Sequence, residues 1–353
     1  ELDHAVIVHV LTQKGKGYGP AEATPTPYHG VDPFDIKTGK TLKKKGISYT
    51  KLFAEQLIKE AADHPELTAI TAAMPDGTGL SAFQKAYPER FFDVGIAEQN
   101  AVTMAAGMAC AGLHPVAAIY SSFLQRAYDQ LSHDVCLQKL PVIFALDRAG
   151  FVGSDGETHH GIFDLSYLSH LPNMTVMAPK NGEELQAMIH FAANYMEGPI
   201  AVRYPRGEAY TGFEGQIAPV EYGKAELLHQ GRDIALLGVG SMMSCAGHLH
   251  EKILQENGKE VALVNMRFVK PLDTELLDQL AADCKVFVTM EENVFTGGMG
   301  SAINDYMMQH HPECRMINIA IPDKYVEQGN IDILKHNLGM DSESIYERIK
   351  EFI

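Results

Sequence analysis

The sequence is short of the features that mark several protein classes. Its five cysteines, Cys110, Cys136, Cys245, Cys284 and Cys314, are odd in number, widely spaced and free of any CxxC pair, so neither a disulfide framework nor a zinc site is predicted. Cations are scarce: 29 Lys and Arg stand against 45 Asp and Glu, a formal net charge of -16. That balance argues against a nucleic-acid or anionic-membrane partner, since both need clustered positive charge, and any anionic substrate must be met by a few local arginines. No apolar run approaches the length of a membrane span, and no signal or transit segment is visible. Fixed-period repeats and low-complexity tracts are also lacking. A reducing cytoplasm is the compartment these absences suggest.

What is present is an α/β pattern. The 353 residues, 46% hydrophobic and 21% charged, suffice for two core-bearing domains. The chain opens on "AVIVHVLTQKGKGYGP", a buried parallel-type strand at Ala5 to Val10 that runs into a Gly/Lys loop. Residues 1–18 are expected to be the last strand and loop of an N-terminal domain, and 19–47, rich in Pro and Gly with a basic run, an extended linker. From Ser48, helix and strand patterns alternate: a helix at "SYTKLFAEQLIKEAADHP", strands at "LTAITAAM", "RFFDVGI", "HPVAAIYS" and "PVIFALDR", and one long amphipathic helix at "FLQRAYDQLSHDVCLQK". Such alternation predicts a doubly wound parallel sheet with function at the strand C-terminal ends. A second alternating block, 213–353, predicts another small α/β domain, leaving 48–212 as the first.

Chemistry-bearing residues concentrate in the first of these domains. Glu98, in "FFDVGIAEQN", stands at the mouth of a helix that continues as the oily run "AVTMAAGMACAG". Read alone, it is an acid favoured by the helix dipole. Arg148 follows the strand "VIFAL", and "AGFVGSDGETHHG" is a glycine-rich loop with Asp155, Glu157, His159 and His160 within six positions, groups suited to proton transfer or hydroxyl recognition. Their spacing matches no common zinc signature. In the second domain "TGGMGS", Thr296 to Ser301, offers backbone N–H groups at a helix start, an anion-friendly geometry. That domain presents no paired carboxylate in this reading, and its role looks structural or associative.

Several of these stretches together, "DVGIAEQNAVTMAAGMA", "IYSSFLQRAYDQLSHDVCLQKLPVIFALDRAGFVGSDGETHHGIFDLSYL", "AVRYPRGE" and "VNMRFVKPLD", resemble the 1-deoxy-D-xylulose-5-phosphate synthases, thiamin-diphosphate enzymes of the transketolase superfamily. The resemblance covers essentially the whole chain, with Asn100 where many of those enzymes carry His. It implies a transketolase-type transferase that condenses pyruvate with D-glyceraldehyde 3-phosphate, with loss of CO2, as a homodimer, for isoprenoid, thiamin and pyridoxal biosynthesis. It also implies roles for individual residues. Glu98 would hydrogen-bond the pyrimidine nitrogen of thiamin diphosphate, a contact that is strong only in a partly dry site. Phe123 would stack on the pyrimidine ring, with Arg126 in the same pocket. Tyr120, Arg148 and Arg206 would anchor the acceptor's phosphate. Asp155 and His159 would meet substrate hydroxyls or the carbonyl, and His29 would reach the thiazolium side. For two arginines another reading stays open: Arg126 pairing with Asp129, and Arg206 bridging a domain boundary.

The superfamily's diphosphate and Mg2+ motif, GDG followed by Asn, has no counterpart here; "PDGTG" at Pro75 and "SDGET" at Ser154 lack the leading glycine and the partner Asn. The resemblance therefore implies a pyrimidine-binding and a C-terminal domain, no metal ligands in this chain, and no activity by the chain alone. Two other classes share part of the pattern: a 2-oxoacid dehydrogenase β subunit or transketolase C-terminal half, and a non-catalytic assembly partner.

Overall fold

The computed structural model describes residues 3–25, 28, 31, 33–42 and 46–353, and the chain forms two compact units, Glu1–Gly46 and Ile47–Ile353. In the first, helix α1 (Gly19–Ala23) stands near three aromatic rings, Tyr18, Tyr28 and Phe34, whose centroids lie 5.5 to 5.9 Å apart. The Tyr18 and Tyr28 hydroxyls donate to the carbonyls of Ile36 and Gly39. The stretch expected as an extended linker thus folds on itself, because three rings bury more apolar surface together than apart. The strand expected at Ala5 to Val10 is not formed among the described residues: Ile7 is 97% exposed and Val8 78%. An extended segment becomes a buried strand only when a neighbour completes its backbone hydrogen bonds.

The second unit contains two sheets. The first is built from β1 (Leu67–Thr71), β2 (Phe91–Asp93), β3 (His114–Tyr120), β4 (Ile143–Asp147), β5 (Thr175–Met177) and β6 (Ile200–Arg203). Its order is β10-β5-β6-β4-β3-β1-β2, all parallel except the late arrival β10 (Phe268–Lys270), which runs antiparallel to β5. Both faces are covered, as parallel sheets require. Val116 and Ala118 of β3 and Ile143 and Ala145 of β4 point to a core shared with helices α2 (Tyr49–Asp63) and α8 (Gly182–Ala193). Ala117, Ile119, Phe144 and Leu146 point to the other face, against α4 (Glu98–Cys110). α2 forms where it does because Ser48 caps it, accepting from the Lys51 amide, and because Phe53, Leu57 and Ala61 recur at the four-residue spacing of one helix face.

The single helix expected over 123–139 is instead a chain of short turns: α5 (Ser121–Leu124), a 3-10 turn, α6 (Tyr128–Gln130) and a π turn at Leu131–Cys136. Changes of winding re-aim successive side chains, and they occur often at functional sites.

The second sheet has the order β12-β11-β8-β9-β7, with β7 (Glu226–His229), β8 (Asp233–Gly238), β9 (Ala262–Asn265), β11 (Cys284–Val294) and β12 (Arg315–Ile321). The edge strand β7, antiparallel to β9, escaped the sequence reading because it is short and only one of its four residues is fully buried. β9 and β10 are two residues apart yet belong to different sheets. The two sheets also share a core, since Ala235, Leu237 and Val264 cluster with Val176 and Ala201 of the first.

Between the sheets lies a buried group of charges. Lys180 Nζ is 2.6 Å from Glu226, and Arg267 Nη2 is 2.7 Å from Glu184 and 2.9 Å from Glu226. Asn265 donates to both carboxylates. No helix among the described residues is long and apolar enough to cross a membrane. All five cysteines are free thiols.

Candidate active site

The polar residues singled out from the sequence gather at the C-terminal ends of β3, β4 and β6, the side of a parallel sheet where open α/β folds bind ligands. Tyr120 ends β3, and its ring carries the Arg148 guanidinium at 3.9 Å. Arg148 comes directly after β4 with φ of +62°, a left-handed conformation that costs a non-glycine residue on the order of 1 kcal/mol or more. Its side chain holds it there: Nη1 donates to the Gly77 carbonyl at 2.5 Å and lies 3.0 Å from Asp147. Asp147, fully buried, also accepts from Thr50 Oγ1 at 2.7 Å. Burial pushes the Asp147 carboxyl up from its ordinary value, with Arg148 and Thr50 opposing.

Gly77 explains the "PDGTG" stretch. A Cβ there would fall 1.9 Å from the Tyr120 hydroxyl oxygen, so any larger residue at this turn would displace the Tyr120 side chain. Burial likewise raises the Tyr120 hydroxyl, and the opposing charges acting on it are those of Arg148 and Arg206. Gly77, Asp147 and Thr50 were not picked out from the sequence. The pattern of Gly77 was visible, but its partner lies 43 positions along the chain.

Phe123 stands between Tyr120, at 5.4 Å centroid to centroid, and His159, which meets it edge-on at 5.2 Å. His159 Nδ1 shares a hydrogen bond of 2.9 Å with Thr158 Oγ1, and Nε2 makes no hydrogen bond among the described residues. The neighbouring His160 is a structural histidine: its Nδ1 accepts from the Val152 amide and its Nε2 donates to the Glu327 carbonyl. Arg206 donates to Asp155 Oδ2 at 2.7 Å, so its partner is a residue of the glycine-rich loop in the same domain, not one across a boundary. That pair is about one-third exposed on each side.

Glu98 opens α4 after Ala97, which has no side chain to cap the helix. The carboxylate is only 3% exposed, yet among the described residues it accepts no hydrogen bond; its nearest cation is Arg126, at 3.9 Å. Arg126 therefore faces Glu98 and not Asp129. A buried carboxylate in this state has acceptor capacity left for a ligand. His29 lies outside the described residues. Among those described, no cluster of three or more His, Cys, Asp or Glu is arranged to hold a metal ion.

The "TGGMGS" turn is already satisfied from within. Glu291, on β11, accepts from the Met299 and Gly300 amides at 2.8 Å each, at the start of α11 (Met299–His310). A Cβ on Gly298 would fall 2.4 Å from the Glu291 carboxylate. The anion that this turn was expected to welcome is the protein's own. The next residue, Glu292, is also buried, so the second sheet does carry paired carboxylates.

Comparison with known proteins fits this architecture. Residues 45–211 match the family model of the transketolase pyrimidine binding domain, and 223–345 that of the transketolase C-terminal domain. The chain is similar to the 1-deoxy-D-xylulose-5-phosphate synthase of Lachnoclostridium phytofermentans, with 54% identity over 350 residues, 99% of this chain and 56% of that protein. Against the synthase of Heliobacterium modesticaldum identity is 49% over 346 residues, 98% of this chain and 53% of that one. The chain thus spans about half the length of the curated relatives it matches. Among solved structures, a split gene transketolase described as an inactive beta4 tetramer is similar with a TM-score of 0.79 and 30% identity, over 87% of this chain and 98% of that one. A transketolase from Leishmania mexicana, at 17% identity and TM-score 0.70 over 88% of this chain and 46% of that one, shares the fold.

Glu291 generates a pH prediction. Burial, outweighing the two amide bonds, pushes its carboxyl up from 4.5 to about 7. A carboxyl raised on folding favours the protonated form, so its contribution to stability is complete below pH 4.5 and is lost as pH rises through 7. Relative to Glu291→Gln, the wild type is therefore expected to lose about 3 kcal/mol between pH 4.5 and 8. Urea unfolding of both proteins across that range measures it, and a constant difference would contradict the buried acid.

Proposed function

Since the chain belongs to the transketolase family, we propose that it is the part of a 1-deoxy-D-xylulose-5-phosphate synthase that holds the pyrimidine end of thiamin diphosphate and the acceptor aldehyde. The observation that carries this reading is Glu98, buried to 3% exposure with no hydrogen bond of its own among the described residues. When bound, thiamin diphosphate supplies the carbanion chemistry that pyruvate decarboxylation requires. This chain's residues supply orientation and proton control. Glu98 would share a proton with the pyrimidine ring nitrogen, in a site dry enough for that hydrogen bond to be strong, with the Arg126 guanidinium 3.9 Å away. Phe123 offers an aromatic surface against which a flat ring packs.

For the acceptor, the chemistry fits D-glyceraldehyde 3-phosphate. Arg148 is fixed by Gly77, Asp147 and the Tyr120 ring, so its guanidinium is in place before a phosphate arrives. Arg206 is more exposed and paired with Asp155; a phosphate that takes over the guanidinium frees the Asp155 carboxylate to accept from a substrate hydroxyl. His159 Nε2 is the nearby proton donor or acceptor. The diphosphate, Mg2+ and His29 contacts belong outside the residues described, and the chain by itself is proposed to be inactive, with the full-length protein working as a cytoplasmic homodimer. Turnover by the isolated chain would overturn that part. A transketolase C-terminal half is the second reading, favoured by the split gene neighbour that the chain covers almost completely; consumption of pyruvate by the full-length protein separates the two.

In the full-length protein, Glu98→Ala is expected to lower kcat by roughly a hundredfold or more, the scale of a lost acid-base partner, while the KM for glyceraldehyde 3-phosphate stays nearly unchanged. Steady-state kinetics and NMR of thiamin C2-proton exchange check this, and near-normal exchange in the variant would remove Glu98 from the role. Arg206→Ala, by contrast, is expected to raise the KM for glyceraldehyde 3-phosphate and spare that for pyruvate. A lost charge-assisted contact is worth about 1.5 to 3 kcal/mol, roughly a ten- to hundredfold change. Unphosphorylated glyceraldehyde is the control: an equal loss with both acceptors means that Arg206 holds the loop and not the phosphate.

A further inference from the structure

We infer that Glu292 and Lys335, both in the C-terminal sheet domain, are positioning residues that hold the loop Ala149–Gly161 and so set where Asp155 and His159 stand. The inference rests on the reading of that loop as the acceptor site.

Glu292 extends from β11 and divides its two oxygens between two tasks. One accepts from the Phe151 amide at 2.9 Å, and the other meets Lys335 Nζ at 2.5 Å. Contact with the loop backbone is close. Gly150 has φ of +74°, and a Cβ there would lie 2.2 Å from the Glu292 carboxylate. At its base the loop is closed by reciprocal Gly150 and Gly161 amide bonds of 2.7 and 2.8 Å. Arg203 donates to the Gly161 carbonyl and to that of Glu292, so loop and strand share a third tie.

Lys335 lies on α12 (Ile331–Asn337), and the segment leading into that helix grips the far part of the loop. The Gly329 amide donates to the Gly153 carbonyl at 3.2 Å, and His160 donates to the Glu327 carbonyl at 3.2 Å. A Cβ on Gly156 would touch Gln328 at 3.0 Å. The loop's base therefore rests on Glu292 and its tip on the α12 lead-in, and the ion pair joins the two supports. A cavity of about 160 Å³ is lined by Arg206, Phe151, Glu292 and Lys335 together, so the pair also borders the arginine assigned to the phosphate. Burial would raise the Glu292 carboxyl, but Lys335 and the Phe151 amide hold it below its ordinary value.

The test uses the full-length protein with Glu292→Gln/Lys335→Met, which removes both charges and leaves no unpaired ion in the interior. Hydrogen exchange read by mass spectrometry is expected to speed up by about tenfold or more in the 149–161 peptide, with the sheet unchanged. The KM for glyceraldehyde 3-phosphate is expected to rise roughly ten- to hundredfold, the scale of a displaced contact, with the pyruvate KM constant, whereas Lys335→Arg with Glu292 retained keeps the ion pair and should hold loop exchange and this KM near their wild-type values. Wild-type exchange in the loop overturns the inference, and so does an equal rise of both KM values. If the double variant does not fold, Glu292→Gln/Lys335→Gln, which also leaves no unpaired ion, is read in the same way. A wild type that does not consume glyceraldehyde 3-phosphate would sink the functional reading, while the exchange result still judges the loop.

Discussion

Two cations and two carboxylates, Lys180, Arg267, Glu184 and Glu226, meet where the two sheets join, and none is more than 6% exposed. Charges withdrawn from water this completely are weak sources of net stability, because desolvation offsets most of their attraction. What they supply is register: any slip of one sheet past the other would strand a charge without its partner. The two sheets are also tied covalently at short range, since only two residues separate β9 in one from β10 in the other. Every contact between the loop Ala149–Gly161 and the second sheet depends on this docking being unique.

The candidate site shows the same economy of charge. Arg148 is bound to Asp147 and Gly77, Arg206 to Asp155, and Arg203 to Asp164 at 2.8 Å. Each guanidinium has a carboxylate partner, and the pairs differ in how freely they can exchange it. Arg203 is 3% exposed and fixed, whereas Arg206 is 37% exposed and within reach of water. The strained φ of Arg148 belongs to the fixed class, because three contacts over-determine it.

Adjacent glutamates on one strand have opposite titration behaviour for reasons of partner alone. Glu291 faces two amides and no cation at bonding distance, so burial prevails and its carboxyl rises to about 7. Glu292 faces Lys335, and its carboxyl falls below its ordinary value. Since successive residues of a strand point to opposite faces, one acid closes the start of α11 and the other reaches the loop of the neighbouring domain.

The alternating α/β pattern and most strand positions were legible in the sequence, because burial on both faces forces apolar strand runs, and Arg148, Asp155 and His159 stood out as polar groups in the loops that follow strands; Tyr120 and Arg206 came only from the family resemblance. Glu98 drew notice because it opens an oily helix, but read alone an acid there is favoured by the helix dipole, and its role came only from the family resemblance. Tertiary structure alone decided who holds whom: that Arg206 faces Asp155, that Gly77 supports Tyr120, that Glu291 answers the glycine turn and that Glu292 reaches Phe151. It also decided that Phe268–Lys270 leaves one sheet for the other, and that the helix over 121–136 changes its winding. Local periodicity reports only how much of a segment is buried; it carries no information on partners tens to more than a hundred residues away, and those are set by docking geometry.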